Sequence, residues 1–404
     1  MARPSVVVAH GLSRRQPRGA EVDAAAAEDV AKRGAAASCQ AAEAAGYLTR
    51  QLVTCIGNKR ALVPHIEAAV ERVAGRLGRR LRCMDVFSGS GVVSRMLKRH
   101  AATLVANDIE DYAAAVSRCH LADARAIDER AVADVVADLN ARVDSVPLPP
   151  GFIEEMYAPR DERRIGASDR VFYTRRNARR IDNYRRMIEA APPEFRDLLL
   201  GPLLSEASVH ANTAGVFKGF YKNRMTKVGQ FGGSGADALA RILGSIDMAP
   251  PVLSRHACEC VVMQEDANAA VRRVRDLDLA YLDPPYNQHP YGSNYFMLNL
   301  IVRYARPTAV SAVAGIPTDW RRSGYNVRSR SAELLADLVA NVDARFLLVS
   351  YNDEGFIAPA EMRALLGREG RVEVLAVPYT AFRGSRSLRN RPIRVTEHLF
   401  LVER

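Results

Sequence analysis

Four consecutive residues, Asp283, Pro284, Pro285 and Tyr286, close the apolar run in "LAYLDPPYNQHPYGSNYFMLNL" at positions 279 to 300. A carboxylate at the end of a buried strand is held by backbone that cannot slide. The prolines after it have restricted φ and no N–H to donate, so the carbonyl of Pro284 stays free and fixed in direction. Two acceptors facing one spot suit a planar amino group with two hydrogens, one for each acceptor. Accepting both draws the nitrogen lone pair out of conjugation with its ring, and a poor nucleophile becomes adequate for in-line attack on a methyl carbon. Tyr286 supplies an aromatic face. Stacking a base on such a ring is worth about 1–3 kcal/mol, comparable with the cost of unstacking that base from a duplex.

A second set of residues could hold the other reactant. In "LRCMDVFSGSGVVSRMLKRH" and "ATLVANDIEDYAAAVSRC", Asp85, Gly89, Gly91 and Asp108 fall where two strands give way to turns. An acid ending the second strand can accept hydrogen bonds from ribose hydroxyls. The run G-S-G lacks a third glycine, which disfavours pyrophosphate and favours a nucleoside without one.

The elements that position these residues follow from periodicity. Leu81 to Phe87 reads as a strand, then a glycine turn, then a helix, and the unit repeats with a strand ending at Asn107 and Asp108. Two strand-turn-helix units in succession imply α/β architecture with a doubly wound, Rossmann-like parallel sheet, whose ligands sit at the carboxyl ends of the strands. Upstream, Leu62, Ile66, Ala69, Val70 and Val73 recur at helical spacing, and "GNK" is expected to cap the start of that helix. Strands resume in "HACECVVMQED" and "LDLAYLDPPY", followed by "ARFLLVSYNDEG" and by "RVEVLAVPY" paired with "TEHLFLVER". The separation of the glycine turn from Asp283 is too long for a directly wound sheet. Residues 141–250 are therefore read as an inserted, mainly helical target-recognition domain. Residues 46–140 and 251–404 are the two parts of a catalytic domain, and residues 1–45 a flexible, alanine-rich arm.

Composition narrows the partners. The 404 residues carry a formal charge of +11 and a pI near 9.5, which fits a polyanion such as nucleic acid. No apolar run approaches the roughly 20 residues of a membrane helix. Six cysteines without a CxxC pair suggest a reduced, cytoplasmic protein, and eight scattered histidines show no metal spacing, so no metal is expected. Between Arg160 and Arg186 stand ten arginines against four acids, interleaved with Phe172, Tyr173 and Tyr184. Guanidinium groups chelate phosphate or guanine edges and stack on bases. On this basis Arg175, Arg176 and Arg179 are candidate DNA contacts, with a solvated helix face as the competing reading. Lys218, Lys222 and Arg224 in "HANTAGVFKGFYKNRMTKVGQFGGSG" join them. Arg383 and Arg386 in "FRGSRSLRNR" are candidates for phosphates, and Ser350, Tyr351 and Asn352 for a wall of the base pocket.

Taken together, "TCIGNKRALVPHI", "DVFSGSGVVSRMLK", "VANDIEDY", "LDPPYNQHPYGSNYFMLNLI", "FLLVSYNDEG" and "YTAFRGSRSLRNRPIRVTEHLFLV" resemble successive motifs of the DNA adenine methylase family. The resemblance covers most of residues 47–110 and 255–404. It implies transfer of a methyl group from S-adenosylmethionine to the exocyclic N6 of adenine in a specific duplex DNA sequence, with base flipping. It implies Asp283, Pro284, Pro285 and Tyr286 as catalytic residues. Cofactor contacts are implied at Asn58, Lys59, Asp85, Phe87, Gly89, Gly91, Asp108, Asp266 and Asp283. Cys55 stands where an aromatic contact is common. Tyr291, Asn294 and Tyr295 fall where the family tends to have a loop that closes over the target, which implies a DNA-facing role, with simple packing as the competing reading. A possible cognate restriction endonuclease and a monomer or weak dimer complete the expectation. Rival readings are methylation of cytosine N4 or of ribosomal RNA, and an inert sequence-specific DNA-binding protein that kept the fold.

Overall fold

Seven strands form one sheet in the order β3-β2-β1-β4-β5-β7-β6. They are β1 (Leu81–Asp85), β2 (Ala101–Asn107), β3 (Glu259–Met263), β4 (Leu277–Leu282), β5 (Ala344–Asn352), β6 (Arg371–Thr380) and β7 (Arg394–Glu403). The computed structural model describes residues 42–53, 55–145, 148–233, 236–380 and 394–404. The strands β3, β2, β1, β4 and β5 run parallel, and β7 enters antiparallel between β5 and β6. β4 is buried along its whole length and β1 and β2 nearly so, as expected for parallel strands covered on both faces. From β1 the chain winds outward through β2 to β3, then returns to lay β4 on the other side of β1. That reversal opens a crevice at the carboxyl ends of β1 and β4, the topological switch point where open α/β sheets bind ligands.

One face of the sheet is covered by the helices Val63–Leu77 and Val92–His100, the former burying Val63, Ile66, Val70 and Val73 at helical spacing. The other face is covered by Arg328–Asn341 and Pro359–Leu366. The GNK segment does not cap the first helix. That helix begins at Val63, with Leu62 at its N-cap and no side-chain cap, because Lys59 uses its carbonyl to close a preceding turn, accepting from the N–H groups of Leu62 (2.8 Å) and Val63 (2.9 Å). Its side chain is thereby freed for the crevice.

Between β2 and β3 the chain is helical, and this body shares its apolar core with its neighbours in sequence. Phe172, Tyr173 and Leu203 pack with Tyr112 and Val116 before them and with Phe296 and Ile301 after them. The ring of Phe172 lies 5.2 Å from Phe220, 6.0 Å from Phe217 and 5.9 Å from Phe296, and such pairs add about 0.5–1.5 kcal/mol each beyond area burial.

The arginine-rich stretch becomes the helix Arg175–Ala190 and is largely structural. Glu154, 2% exposed, receives Arg175 (2.8 Å) and Arg179 (2.8 and 2.9 Å). Arg176 pairs with Asp144 at 2.8 Å. The buried Arg180 donates to the carbonyl of Ile246 (2.8 Å), to Asp144 (2.6 Å) and to Asp247, and the buried Arg185 to the carbonyl of Ile301 (2.7 Å). Removing one partner of a buried ion pair leaves an uncompensated charge, so these guanidinium groups fasten neighbouring segments to one another. Arg175, Arg176 and Arg179, the candidate DNA contacts of this helix, are each paired with a carboxylate of this chain, Glu154 or Asp144, with side chains 38%, 63% and 53% exposed.

Candidate active site

The crevice is a cleft lined by residues from seven separate stretches of sequence. From the segment before the first helix come Cys55, Gly57, Asn58 and Lys59. β1 and its turn give Asp85, Phe87, Ser88 and Gly89, and β2 gives Asn107, Asp108 and Glu110. Glu265 and Asp266 follow β3, and Asp283 and Pro285 follow β4.

The glycine turn and the second acid are built as one unit. Asp108 accepts from the N–H of Gly89 (2.8 Å) through Oδ2 and from that of Glu110 (2.9 Å) through Oδ1. Burial still pushes its proton affinity up. Gly91 does not line the cleft. With φ of 77° it is the N-cap of the helix Val92–His100, a left-handed position that favours glycine, and its expected cofactor contact is corrected to this backbone role. Asp85 is fully buried and accepts from Ser94 Oγ at 2.5 Å through Oδ2, while its Oδ1 makes no hydrogen bond among the described residues. Burial pushes its pKa up to about 7. Asp266 caps the short helix Ala267–Ala270 through the N–H groups of Asn268 and Ala269, and Phe87 packs edge-on against Tyr325 at 5.3 Å.

At the other end of the cleft, Lys59 organises the charges. Its ammonium lies 2.8 Å from Asp283 Oδ1 and 3.2 Å from Glu397 Oε1, and 5.8 Å from the centre of the Tyr286 ring. Burial works against the ammonium, but the two carboxylates lift its proton affinity well above that of ordinary lysine. Burial raises Asp283 to about 6, opposed by Lys59 and reinforced by Glu397. The Asp283 side chain is 18% exposed, the Lys59 side chain 4%. Lys59 takes Oδ1, which leaves Oδ2 for an external donor.

The tyrosines after Asp283 clamp the GNK segment. Tyr291 OH donates to the carbonyl of Ile56 (3.0 Å) and Tyr295 OH accepts from the N–H of Ile56 (2.6 Å), with the two rings stacked 5.9 Å apart. Gly57 has φ of 76°, and a Cβ there would sit 3.0 Å from the Tyr291 hydroxyl and 3.5 Å from that of Tyr286, so both backbone conformation and space require glycine. Tyr295 is wholly buried and Asn294 is 4% exposed, its carbonyl accepting from Phe217 N–H at 2.7 Å. The Tyr295 side chain is thus tied to the GNK segment, and the backbone of Asn294 to the helical body. Tyr291 lines the cleft.

Lys218, Lys222 and Arg224 are exposed. The last two ride on a tight turn in which Asn223 N–H donates to Val228 carbonyl (2.8 Å) and Asn223 Oδ1 accepts from Met225 and Thr226 N–H. At the tip Met225 is 88% exposed. Arg383 and Arg386 lie outside the described residues, as does the arm through residue 41. Pro284 is buried, and Tyr286 packs against Tyr351 with ring centres 6.2 Å apart. Ser350 and Asn352 face Glu397 rather than a base: Ser350 Oγ donates to Oε1 at 2.5 Å, and Asn352 Nδ2 lies 3.5 Å from Oε2.

Several lining residues had no motif to announce them, among them Arg321, Ser323 and Tyr325. Glu110, raised to about 7 by burial, accepts from Asn299 at 2.6 Å. Glu397 did carry a signal. It alternates with Val395, Leu399 and Leu401, all buried, and period-2 alternation puts its carboxylate on the apolar face of β7. Among the described residues, Glu67, Glu71 and His100 lie close enough to share an ion, but they do not line the cleft and Glu67 already accepts from Arg99 and His100.

Comparison with known proteins places this geometry. The model of the D12 class N6 adenine-specific DNA methyltransferases matches residues 56–365. The Type II methyltransferase M.NlaIII of Neisseria lactamica is 28% identical over 359 residues, covering 86% of this chain and 98% of its own. The Type II methyltransferase M.CviAII of Paramecium bursaria Chlorella virus 1 is 28% identical over 326 residues, covering 79% and 89%. The modification methylase StsI of Streptococcus sanguinis is 24% identical over 369 residues, covering 86% of this chain and 51% of its own.

Proposed function

The chain belongs to the D12 class N6 adenine-specific DNA methyltransferases, and from that premise we propose how its own residues divide the work of methylating adenine N6. The enzyme's reaction is S-adenosylmethionine-dependent methylation of adenine in DNA. Bound in the cleft, the cofactor supplies an electrophilic methyl carbon on a sulfonium leaving group. The residues present fit it: Asp85 Oδ1 is a buried acceptor without a partner on the cleft wall, suited to an ammonium, and Asp108, at the tip of β2, is placed for ribose hydroxyls.

Asp283 Oδ2 accepts one hydrogen of the adenine amine and the carbonyl of Pro284 the other, while Tyr286 stacks on the base. The observation that carries this reading is the Asp283 carboxylate at the switch point, with one oxygen held by Lys59 and the other available, in the cleft that also contains Asp85 and Asp108. The adenine reaches it by flipping out of the duplex, which substitution of the target by a fluorescent base analogue would report as a rise in emission on binding. Tritiated cofactor offered with unmethylated DNA, RNA and protein tests the assignment, with label expected in adenine of DNA alone.

Asp283 must be ionised to accept hydrogen bonds from both the Lys59 ammonium and the amine. With its pKa near 6, kcat at saturating cofactor is expected to fall by about tenfold per unit as pH drops below that value. Asp85 and Glu110 titrate higher, near 7. Their protonation is expected in KM for the cofactor, which separates the two effects in one pH series.

We assign DNA recognition to the helical body between β2 and β3, and phosphate contact to its exposed turn. Lys222→Ala and Arg224→Ala are each expected to reduce the slope of log affinity against log salt by about one. Arg175→Ala and Arg179→Ala should leave that slope as it is and instead lower the unfolding temperature, because both serve Glu154. The opposite pattern would return the arginine helix to the DNA interface. A cognate restriction endonuclease and a cytoplasmic site of action belong to the same proposal, and resistance of DNA from expressing cells to such an endonuclease is the readout.

A further inference from the structure

A carboxylate with no exposure, on β7, completes the charge cluster at Asp283. Glu397 lies on β7 opposite Asn352 of β5. One of its oxygens, Oε1, accepts from Ser350 Oγ at 2.5 Å and faces Lys59 at 3.2 Å, while Asn352 approaches Oε2 and is itself 3.1 Å from the hydroxyl of Tyr379 on β6. A buried ionised carboxylate persists only when paired and hydrogen-bonded, and Lys59 is the cation it faces. The same ammonium contacts Asp283 at 2.8 Å. Lysine is a compact charge on a flexible stem, so a single carboxylate would leave its head free to wander. A second carboxylate gives the head a second anchor.

We propose that Glu397 is a positioning residue for methyl transfer: it fixes the ammonium of Lys59 from β7, and Lys59 in turn sets which oxygen of Asp283 is left for the amine. The proposal rests on Asp283 being the acceptor. Ser350 and Asn352 thereby acquire a purpose, since they orient Glu397 by hydrogen bonds. The titratable and charged groups facing Asp283 are Lys59, Glu397, Asp85, Tyr281, Tyr286 and Tyr291. Of these, Glu397 adds a like charge that holds protons on Asp283, and Lys59 opposes it.

The test is steady-state kinetics of Glu397→Gln and Glu397→Ala in the full chain, from pH 5 to pH 9, beside Asp283→Ala. Glu397→Gln keeps an oxygen for Ser350 and Lys59 but removes the charge. Its acid limb should move to lower pH, because the carboxylate of Asp283 loses a repulsive neighbour. Glu397→Ala releases Lys59, and misplacement on the scale of an ångström costs about 10²-fold. Its kcat at pH 8 should therefore fall about that far, with KM for DNA near that of the wild type, and further than that of Glu397→Gln. An acid limb unmoved in Glu397→Gln, or a loss in both variants matched by the unfolded fraction in thermal melts, overturns the proposal, and the Gln variant decides the matter if the Ala variant does not fold. Asp283→Ala keeps the two ideas apart: if it retains transfer, the acceptor assignment fails whatever Glu397 does.

Discussion

Asp283→Ala is expected to lower kcat by about a thousandfold, the scale seen when a preorganised polar group aimed at developing charge is removed, while DNA affinity stays within about twofold. The split follows from position. Asp283 sits at the tip of β4 inside the cleft, 18% exposed, and exposed cations such as Lys222 and Arg224 lie on a different segment. Phosphate contacts supply most of the affinity for DNA, so an acid inside the cleft, proposed to meet only the target base, has little to contribute to it. Single-turnover transfer with labelled cofactor and a DNA binding titration, run on the same preparation, measure the two quantities. Parallel loss of both would assign Asp283 to DNA binding or to folding instead.

Lys59→Ala should be the most damaging substitution to the fold of this region. It leaves Asp283 and Glu397 facing each other across the space of a missing ammonium, and breaking a buried pair in this way costs about 3–5 kcal/mol. The sign of the pH dependence is fixed by the same geometry. Without Lys59 the carboxyl of Asp283 loses the cation that opposes its burial, so its proton affinity in the folded state rises further above the unfolded value of about 4. The folded variant therefore binds more protons than the unfolded chain, and its stability falls as pH rises through the raised value. The deficit in unfolding temperature relative to the wild type should accordingly be large at pH 8 and shrink towards pH 5. A deficit independent of pH would mean that packing, not charge, is what Lys59 contributes. Lys59→Met separates these further, because it keeps the stem and removes only the charge.

What could be read from the sequence was decided by where residues sit on strands. Asp85, Asp108 and Asp283 end buried strands, and a strand end at a switch point is a place the chain's own periodicity identifies. The sheet order, with β7 inserted antiparallel between β5 and β6, follows no local pattern, because it depends on which strand edge remains free when the last hairpin arrives. The arginines of the Arg175–Ala190 helix show the limit of counting charge. Their partners Glu154 and Asp144 lie outside the segment in which charge was counted, and burial against them turned a suspected DNA face into an internal clasp. Tyr295 shows a related limit: an aromatic hydroxyl serves a base or a backbone equally well, and only the proximity of Ile56 gives it a partner in the fold. Glu397 was legible in principle, from an acid sharing parity with Val395, Leu399 and Leu401, but parity alone does not say which cation it meets.

The charge cluster draws Lys59 from the segment before the helix Val63–Leu77, Asp283 from the end of β4 and Glu397 from β7. These pieces lie far apart along the chain, so the ammonium gains its second anchor only when β7 has inserted between β5 and β6. Whatever disturbs that insertion reaches the acid at the tip of β4 through one lysine, while the hydrogen bonds that tie Asp108 to the glycine turn stay within β1 and β2.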